Sequence, residues 1–413
     1  MRHVIVGAGP AGVTAADTIR SRDPSAEIVL VGDEPGLPYA RMTLPYLVSR
    51  TIGEPGTLLR RDPEHYERTR VRRVEGAAAR VDTARREVML SGGTTLAYDR
   101  LLIASGSRMR VPPIEGVGLD GVHRCWTLAQ ARRLRTRVGP GSRVVMLGAG
   151  FIGAVLMDAL VSRGARVTLV EMADQVLPRM LDRIAANLVR RWCEARGVRV
   201  LTSTVVDRVR AGSNGTPLWV GVRGGDELPA DVAVLATGVR PATSFLEGSG
   251  VAVESGVLVD SSLRASAPDV FAAGDVAEGP VLGGRSRDVH AVQPTAAEHG
   301  RVAGLNMLGE AVPYRGSLVM NVLETVGLVS CAIGRCPEGG DVAEATDESR
   351  CRYLRLQFEG QRIVGAVSVG ARCQVGALRG LIQSGAELGP WKERLRRGPH
   401  RVSEAFLARV VGP

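Results

Sequence analysis

An α/β fold built on two copies of one strand–helix–strand unit, followed by an α+β segment at the C-terminal end, is predicted by three observations. The chain opens on a short apolar strand that runs into G-x-G-x-x-G at residues 7–12. The same order of strand, glycines and helix recurs from residue 144. Beyond Tyr314 the pattern changes to alternating runs such as Tyr353 to Phe358, which read as antiparallel strands. The recurrence over about 140 residues is stronger evidence than either motif alone.

In the first copy, His3 to Val6 are apolar and mostly β-branched, as a buried parallel strand requires. Gly7 makes the tight turn, Gly9 lets backbone approach a pyrophosphate, and Gly12 lets the helix pack closely on the strand. Pro10 opens the helix, where a missing N–H costs nothing, and Ala11 follows it. The free N–H groups of that first turn favour a diphosphate. A second strand, Glu27 to Val31, ends in Asp33 and Glu34, about 20 residues past the glycines, where a ribose hydroxyl needs an acid.

The totals fit this reading. The 413 residues suffice for roughly two to three domains. Apolar residues make up 45%, which is ordinary for a folded chain. The net charge of +10 comes almost wholly from arginine, since Lys392 is the only lysine. An arginine bias of this kind reads mainly as genome composition; its functional reading is a surface suited to an acidic partner. There is no lysine-rich tail and no interleaving of basic and aromatic residues, so nucleic acid is not expected. Cys125, Cys193, Cys331, Cys336, Cys351 and Cys373 contain no C-x-x-C, and reduced thiols without a metal are expected. The first apolar run is a strand cut by Gly7 rather than a signal peptide. No stretch reaches the roughly 18 apolar residues of a membrane span. A cytoplasmic protein is the expectation.

After Glu34, the prolines and Gly36 make residues 35–48 a loop, with Arg41 positioned to meet a phosphate or a flavin edge. Residues 64–75 read as helical, then irregular. Arg80–Asp82 and Glu87–Leu90 alternate like a hairpin. Tyr98 to Ser107 is a strand that runs through Ala104 into a turn at Gly106. Pro112, Pro113 and Gly116 mark a domain boundary.

The second copy spans 144–171: a strand, Gly148, Gly150 and Gly153 with Phe151 and Ile152 between them, a helix, a strand and Glu171. Val232–Leu235 then runs through Ala236 and Thr237 to Gly238, mirroring 103–106. Two Rossmann-like folds in one chain have a chemical use: one holds a flavin dinucleotide, the other a diffusible nicotinamide dinucleotide. Glu171 can bond a ribose 2′-hydroxyl and would repel a 2′-phosphate, so NADH is expected over NADPH.

Val270 to Ala273 is a strand whose end presents Gly274 and Asp275, an acid able to accept a sugar-alcohol hydroxyl. Gln293, Pro294 and Thr295 open a helix running to Met307, whose free N–H groups suit negative charge on a reduced flavin. His290 and His299 flank that start and are assigned no catalytic role. Leu378 to Ser384 reads as a helix, and Trp391 to Val411 as a basic helical tail with a solvated face.

These residues resemble the pyridine nucleotide–disulfide oxidoreductase superfamily, and within it the branch of rubredoxin and ferredoxin reductases, nitrite reductase flavin modules and apoptosis-inducing factor. The resemblance rests on GAGPAG at 7–12, LPYAR at 37–41, IASG at 103–106, GAGFIG at 148–153, ATGVRP at 236–241 and FAAGD at 271–275. It implies a discontinuous FAD domain at 1–112 and 242–312, an NAD(H) domain at 113–241 and a C-terminal α+β domain at 313–413. It implies that Gly7, Gly9 and Gly12 hold the FAD pyrophosphate and Asp33, or else Glu34, its ribose. Arg41 would contact the flavin dinucleotide, Asp275 the ribityl chain, and the backbone around Thr295 the flavin pyrimidine. Gly148, Gly150, Gly153 and Glu171 would take NADH. The implied partner is an acidic ferredoxin or rubredoxin, with a homodimer through the C-terminal domain.

Three departures qualify the resemblance. Where thiol-dependent relatives carry a cysteine, this chain has Met42 or its neighbours, so no thiol relay is expected there. Relatives have a lysine five residues after the arginine matching Arg41, and here that residue is Tyr46. Relatives often have a glutamate two residues after the last glycine of the second motif, and here it is Val155. Losing both members of the pair avoids a buried orphan charge costing roughly 3–5 kcal/mol, and leaves Tyr46 as the candidate catalytic donor. The expected activity is electron transfer from NADH through FAD to a small redox protein. The alternatives are a flavin oxidase using dioxygen or a small organic molecule, and a flavin-bearing interaction protein.

Overall fold

The computed structural model describes residues 1–213, 215–284, 286–371 and 374–411. Cys373 therefore lies outside the described residues. The chain forms two compact units. The first comprises Met1–Leu44, Ile52–Met109 and Val239–Ser317, and the second comprises Pro45–Thr51, Arg110–Gly238 and Leu318–Pro413.

The first unit is built on a five-stranded parallel sheet in the order Val270–Ala272, Arg100–Ile103, Arg2–Val6, Glu27–Gly32, Val71–Glu75. Its central strands are apolar without alternation because both faces are covered: Val4, Ile5, Leu101, Leu102 and Ile103 are fully buried. The helix Pro10–Arg22 packs along the helix Gln293–Met307. A three-stranded antiparallel meander, Ala78–Asp82, Glu87–Leu90 and Thr95–Ala97, adds Val81, Val88 and Leu96 to the same core.

Residues 64–75 differ from the sequence reading. Only His65–Arg68 is helical, and Val71–Glu75 is the edge strand of the parallel sheet. An edge strand tolerates charge on its outward positions, and Arg72, Arg73 and Glu75 are exposed there. The loop after Glu34 contains a short turn at Arg41–Thr43 and then a helix, Leu44–Ser49. Pro45 sits in that helix's first turn, where its missing N–H is not needed.

The second unit carries another five-stranded parallel sheet, ordered Arg199–Leu201, Arg166–Val170, Arg143–Leu147, Val232–Leu235, Val122–His123. Its glycine-loop helix is Phe151–Val161, and Arg183–Glu194 follows the second strand. The same unit holds a five-stranded antiparallel sheet, ordered Met320–Thr325, Leu328–Gly334, Arg362–Val369, Arg352–Glu359, Asp341–Asp347.

A hairpin tip ties this sheet to the nucleotide-type helices. Val326 and Gly327 both have positive φ, +47° and +84°, as a two-residue I′ hairpin loop needs. The Val326 N–H donates to Asp158 Oδ1 at 2.7 Å, and its carbonyl accepts the Trp192 indole N–H at 2.9 Å. Burial pushes the Asp158 carboxyl up, opposed by that N–H. A second tie runs from the Tyr353 hydroxyl to Asp182 Oδ2 at 3.0 Å. Asp182 also caps the helix Arg183–Glu194 by accepting the Ala185 N–H at 2.9 Å.

The tail is helical with outward arginines, as its sequence suggests, but in pieces. It breaks into Trp391–Arg397, Val402–Phe406 and a last wide turn, Leu407–Val411. Leu395, Val402 and Ala405 are fully buried against Leu378 and Leu381. The arginines face outward, but the segment is part of a core.

Candidate functional site

Both glycine loops have the same steric signature. Gly7 has φ +120°, and a Cβ on it would lie 1.9 Å from the Ala104 carbonyl oxygen. Gly148 has φ +106°, and a Cβ there would lie 2.5 Å from the Ala236 carbonyl oxygen. In each case the loop presses on the end of the neighbouring strand, and no side chain fits. The middle glycines are the opposite: nothing lies within 4 Å of a Cβ at Gly9 or Gly150. Each middle glycine is a helix N-cap without a side-chain cap, so the first-turn N–H groups stand behind an open cradle suited to a diphosphate. Pro10 and Ala11 begin the first helix, and Phe151 and Ile152 the second.

The loops are also held alike. Gly7 N–H donates to Val31 and Gly148 N–H to Val170, both at 2.8 Å. Gly106 and Gly238, which end the neighbouring strands, have φ of +67° and +88°. This second match is what the sequence repeat at 103–106 and 235–238 encodes.

The acids differ between the units. In the first, Asp33 Oδ2 accepts Arg108 at 2.8 Å. Glu34 pairs with Arg41 at 2.7 Å and accepts the Tyr39 hydroxyl at 2.7 Å. Arg41 is thus held on Glu34, and its charge also acts on Asp275. In the second unit Glu171 is 8% exposed. Its Oε2 accepts the Ala149 N–H from inside the glycine loop at 2.7 Å, and its Oε1 accepts the Ala173 N–H at 2.9 Å.

Asp275 follows Gly274 at the end of the strand Val270–Ala272. Burial pushes its carboxyl up, and the Ser107 hydroxyl, at 2.8 Å from Oδ2, pulls it down. Thr295 is buried in the first turn of the helix Gln293–Met307, beside Pro294. Gly7, Gly9, Gly12, Asp33, Glu34, Arg41, Ala104, Gly106, Gly274, Asp275, Pro294 and Thr295 all belong to the first unit. Gly148, Gly150, Gly153, Glu171 and Gly238 belong to the second, and so do Tyr46 and Val155. Tyr46 is 48% exposed.

Sequence reasoning missed Ser107, Arg108 and Tyr39 as partners of the predicted acids. Ser107 was signalled by its place directly after the Gly106 turn, whereas the Arg108–Asp33 pair joins residues too far apart for any local pattern. His290 is buried, with its Nε2 3.9 Å from Asp288 Oδ2. The described cysteines are unbridged, and none lies in either glycine loop. Among the described residues, no group of three His, Cys, Asp or Glu could hold a metal ion, and no helix is long and apolar enough to cross a membrane.

This doubled geometry has a known counterpart. Residues 1–300 match the family described as pyridine nucleotide-disulphide oxidoreductase. The chain belongs to this family. As a member of the pyridine nucleotide-disulphide oxidoreductases, it is an oxidoreductase. It is 31% identical to the epsilon subunit of an NADH-dependent phenylglyoxylate dehydrogenase from Aromatoleum evansii, over 99% of this chain and 98% of that one. It is 36% identical to a probable ferredoxin reductase of Castellaniella defragrans, over 76% of each chain. A putidaredoxin reductase, solved in covalent complex with putidaredoxin, shares the fold with a TM-score of 0.90 at 22% identity, over 98% of this chain and 99% of that one.

Proposed function

We propose that the chain is an FAD-dependent NADH oxidoreductase that delivers electrons to a small redox protein of the ferredoxin or rubredoxin type. The observation that carries this reading is the doubled cradle: two glycine loops of one steric design, each ending a parallel strand in its own unit. In the first unit, Gly7, Gly9 and Gly12 receive the FAD diphosphate, Asp33 its ribose and Asp275 a ribityl hydroxyl. The helix start at Thr295 offers N–H groups to the pyrimidine edge of the flavin. In the second, Gly148, Gly150 and Gly153 receive the nicotinamide dinucleotide. When bound, FAD accepts a hydride from NADH and passes its electrons on.

Each carboxylate oxygen of Glu171 already accepts one backbone N–H and has capacity for one further bond. A ribose 2′-hydroxyl uses that capacity, whereas a 2′-phosphate meets like charge. NADH is therefore preferred over NADPH. The acceptor is acidic and docks by charge on this arginine-rich chain. A cytoplasmic setting and a homodimer through the C-terminal domain complete the reading.

The purified protein should be yellow and release FAD on heating. Anaerobic NADH should bleach it faster than NADPH does. Added ferredoxin or rubredoxin should accelerate cytochrome c reduction, and the gain should fade with salt, which screens over about 10 Å at 0.1 M. A colourless protein that gains no flavin absorbance with FAD would sink the proposal. If no carrier accelerates turnover and dioxygen reoxidises the flavin within the turnover time, an oxidase replaces it.

A second reading has one specific support. The match to the dehydrogenase epsilon subunit runs over 99% of the chain, beside 76% and 94% for two ferredoxin reductase relatives. A flavin subunit resident in a larger dehydrogenase fits that span, and co-purification of further subunits from the native host separates the two.

A further inference from the structure

The turn that carries Asp275 is held from behind by a chain of buried side chains that neither glycine loop requires. His299 lies on the helix Gln293–Met307 and is 2% exposed. Its Nδ1 accepts the Gly274 N–H at 3.3 Å. Its Nε2 lies 3.4 Å from Ser317 Oγ, and Ser317 Oγ lies 2.7 Å from the Tyr314 hydroxyl. The Tyr314 ring stands edge-on to the imidazole, with centroids 4.6 Å apart and planes at 89°. Ser317 and Tyr314 are themselves buried.

The chemistry of this chain is directional. Burial holds the His299 imidazole down to about 4, so the ring is neutral at working pH. A neutral imidazole has one N–H and one acceptor nitrogen. The bond from Gly274 makes Nδ1 the acceptor, which leaves the proton on Nε2 to be donated to Ser317. Gly274 has φ +77°, and a Cβ there would lie 3.1 Å from the Ala11 side chain. The turn is therefore tight and packed against the first helix. Asp275 is the next residue, and its other tie is to Ser107.

We propose that His299 is the positioning residue of the FAD site: by accepting the Gly274 N–H it fixes the turn that presents Asp275 to a ribityl hydroxyl. This rests on the assignment of Asp275 to the ribityl chain made above. The helix also packs on the turn through Ala296, and the imidazole adds a directional hydrogen bond to that contact. Aromatic packing alone does not supply it, because the bond from Gly274 needs a ring nitrogen.

The test uses the holoprotein and reads the FAD dissociation constant by the rise of flavin fluorescence on dilution, with the visible flavin spectrum alongside. His299→Phe keeps the ring against Tyr314 and removes both nitrogens. Losing one such bond is expected to raise the dissociation constant about tenfold. His299→Gln, whose amide can accept from Gly274 and donate to Ser317, should restore it to within about threefold. Asp275→Asn should weaken FAD by itself, and adding His299→Phe should weaken it little further, since residues acting through one contact are not additive. If His299→Phe does not fold, Ser317→Ala, which removes only the outer bond, carries the same comparison with Asp275→Asn. Independent, multiplying effects of the two positions overturn the proposal, as does an unchanged dissociation constant in His299→Phe. An unchanged constant in Asp275→Asn instead removes the assignment of Asp275 itself.

Discussion

Truncating Glu171 to alanine should damage the second unit before any nucleotide is bound. Both carboxylate oxygens are engaged: one takes the buried Ala149 N–H and the other the Ala173 N–H. Hydrogen bonds to a charged group contribute about 1.5–3 kcal/mol each. Water can reach the partly exposed Ala173 bond and replace much of it. The bond to Ala149 is buried, so that N–H is left without a partner. The net cost is about 2–4 kcal/mol. At about 2–4 °C per kcal/mol for a folded unit of this size, the nucleotide-free melting temperature should fall by roughly 4–16 °C. Glu171→Gln retains one acceptor oxygen and should lose about half as much. In the same variants the preference for NADH over NADPH in anaerobic flavin reduction should narrow, because the repelling carboxylate is gone. Differential scanning calorimetry and stopped-flow absorbance measure the two effects separately. An unchanged melting temperature in Glu171→Ala would show that the carboxylate does not buttress the loop, whatever happens to selectivity.

Three further outcomes are expected. Burial pushes the thiols of Cys125, Cys193 and Cys336 up to about 12 and that of Cys331 up to about 11. Alkylation of these four thiols in the native protein at pH 8 should therefore be slow, and thiol labelling should leave flavin reduction and reoxidation unchanged; activity lost in step with labelling of one thiol refutes this. His3 and His299 are both held down to about 4 by burial. Their folded values lie below the unfolded one, so the unfolded chain binds more protons between about pH 4 and 6.5. Stability is then full above about 6.5 and falls as the medium acidifies, by about 1.4 kcal/mol per pH unit for each histidine. His3→Gln should flatten that slope between pH 5 and 6.5 in urea titrations, and an equal slope in the variant counts against the assignment. Val326 is β-branched yet has φ +47°, and Asn-Gly suits a two-residue hairpin loop better. Val326→Asn should raise stability by about 1 kcal/mol in chemical denaturation, and a destabilised variant would mean that the valine side chain matters more than its backbone strain.

The parts of the fold that were legible in the sequence are those whose cause is local. Gly7 and Gly148 sit where they do because a backbone turn excludes a side chain, and that need repeats at fixed spacing. The strands around Val4 and Leu101 are legible because both sheet faces are covered, which writes an uninterrupted apolar run. Val71–Glu75 was not legible: as an edge strand it carries arginines outward and loses the apolar signature. The tail was legible as basic and helical, but its anchoring in a core was not, because its arginines outnumber the few residues, Leu395, Val402 and Ala405, that anchor it. Within the candidate site, glycines and acids could be named from spacing, but their partners could not. Arg108 on Asp33 and His299 on Gly274 are tertiary pairings with no periodicity to announce them.

The grip of the Val326 hairpin on Asp158 and Trp192 bears on how such chains can be recombined. Residues 318–413 come last in the sequence and look like a cassette that relatives could exchange. Yet the helices they hold belong to the glycine-loop fold, and one of them begins at Gly150 and Phe151. A transplanted C-terminal sheet would arrive with a backbone N–H and carbonyl at its tip that need an acid and an indole already waiting on the host. In this chain, replacing that hairpin alone would therefore leave Asp158 and Trp192 without the Val326 backbone groups they bind.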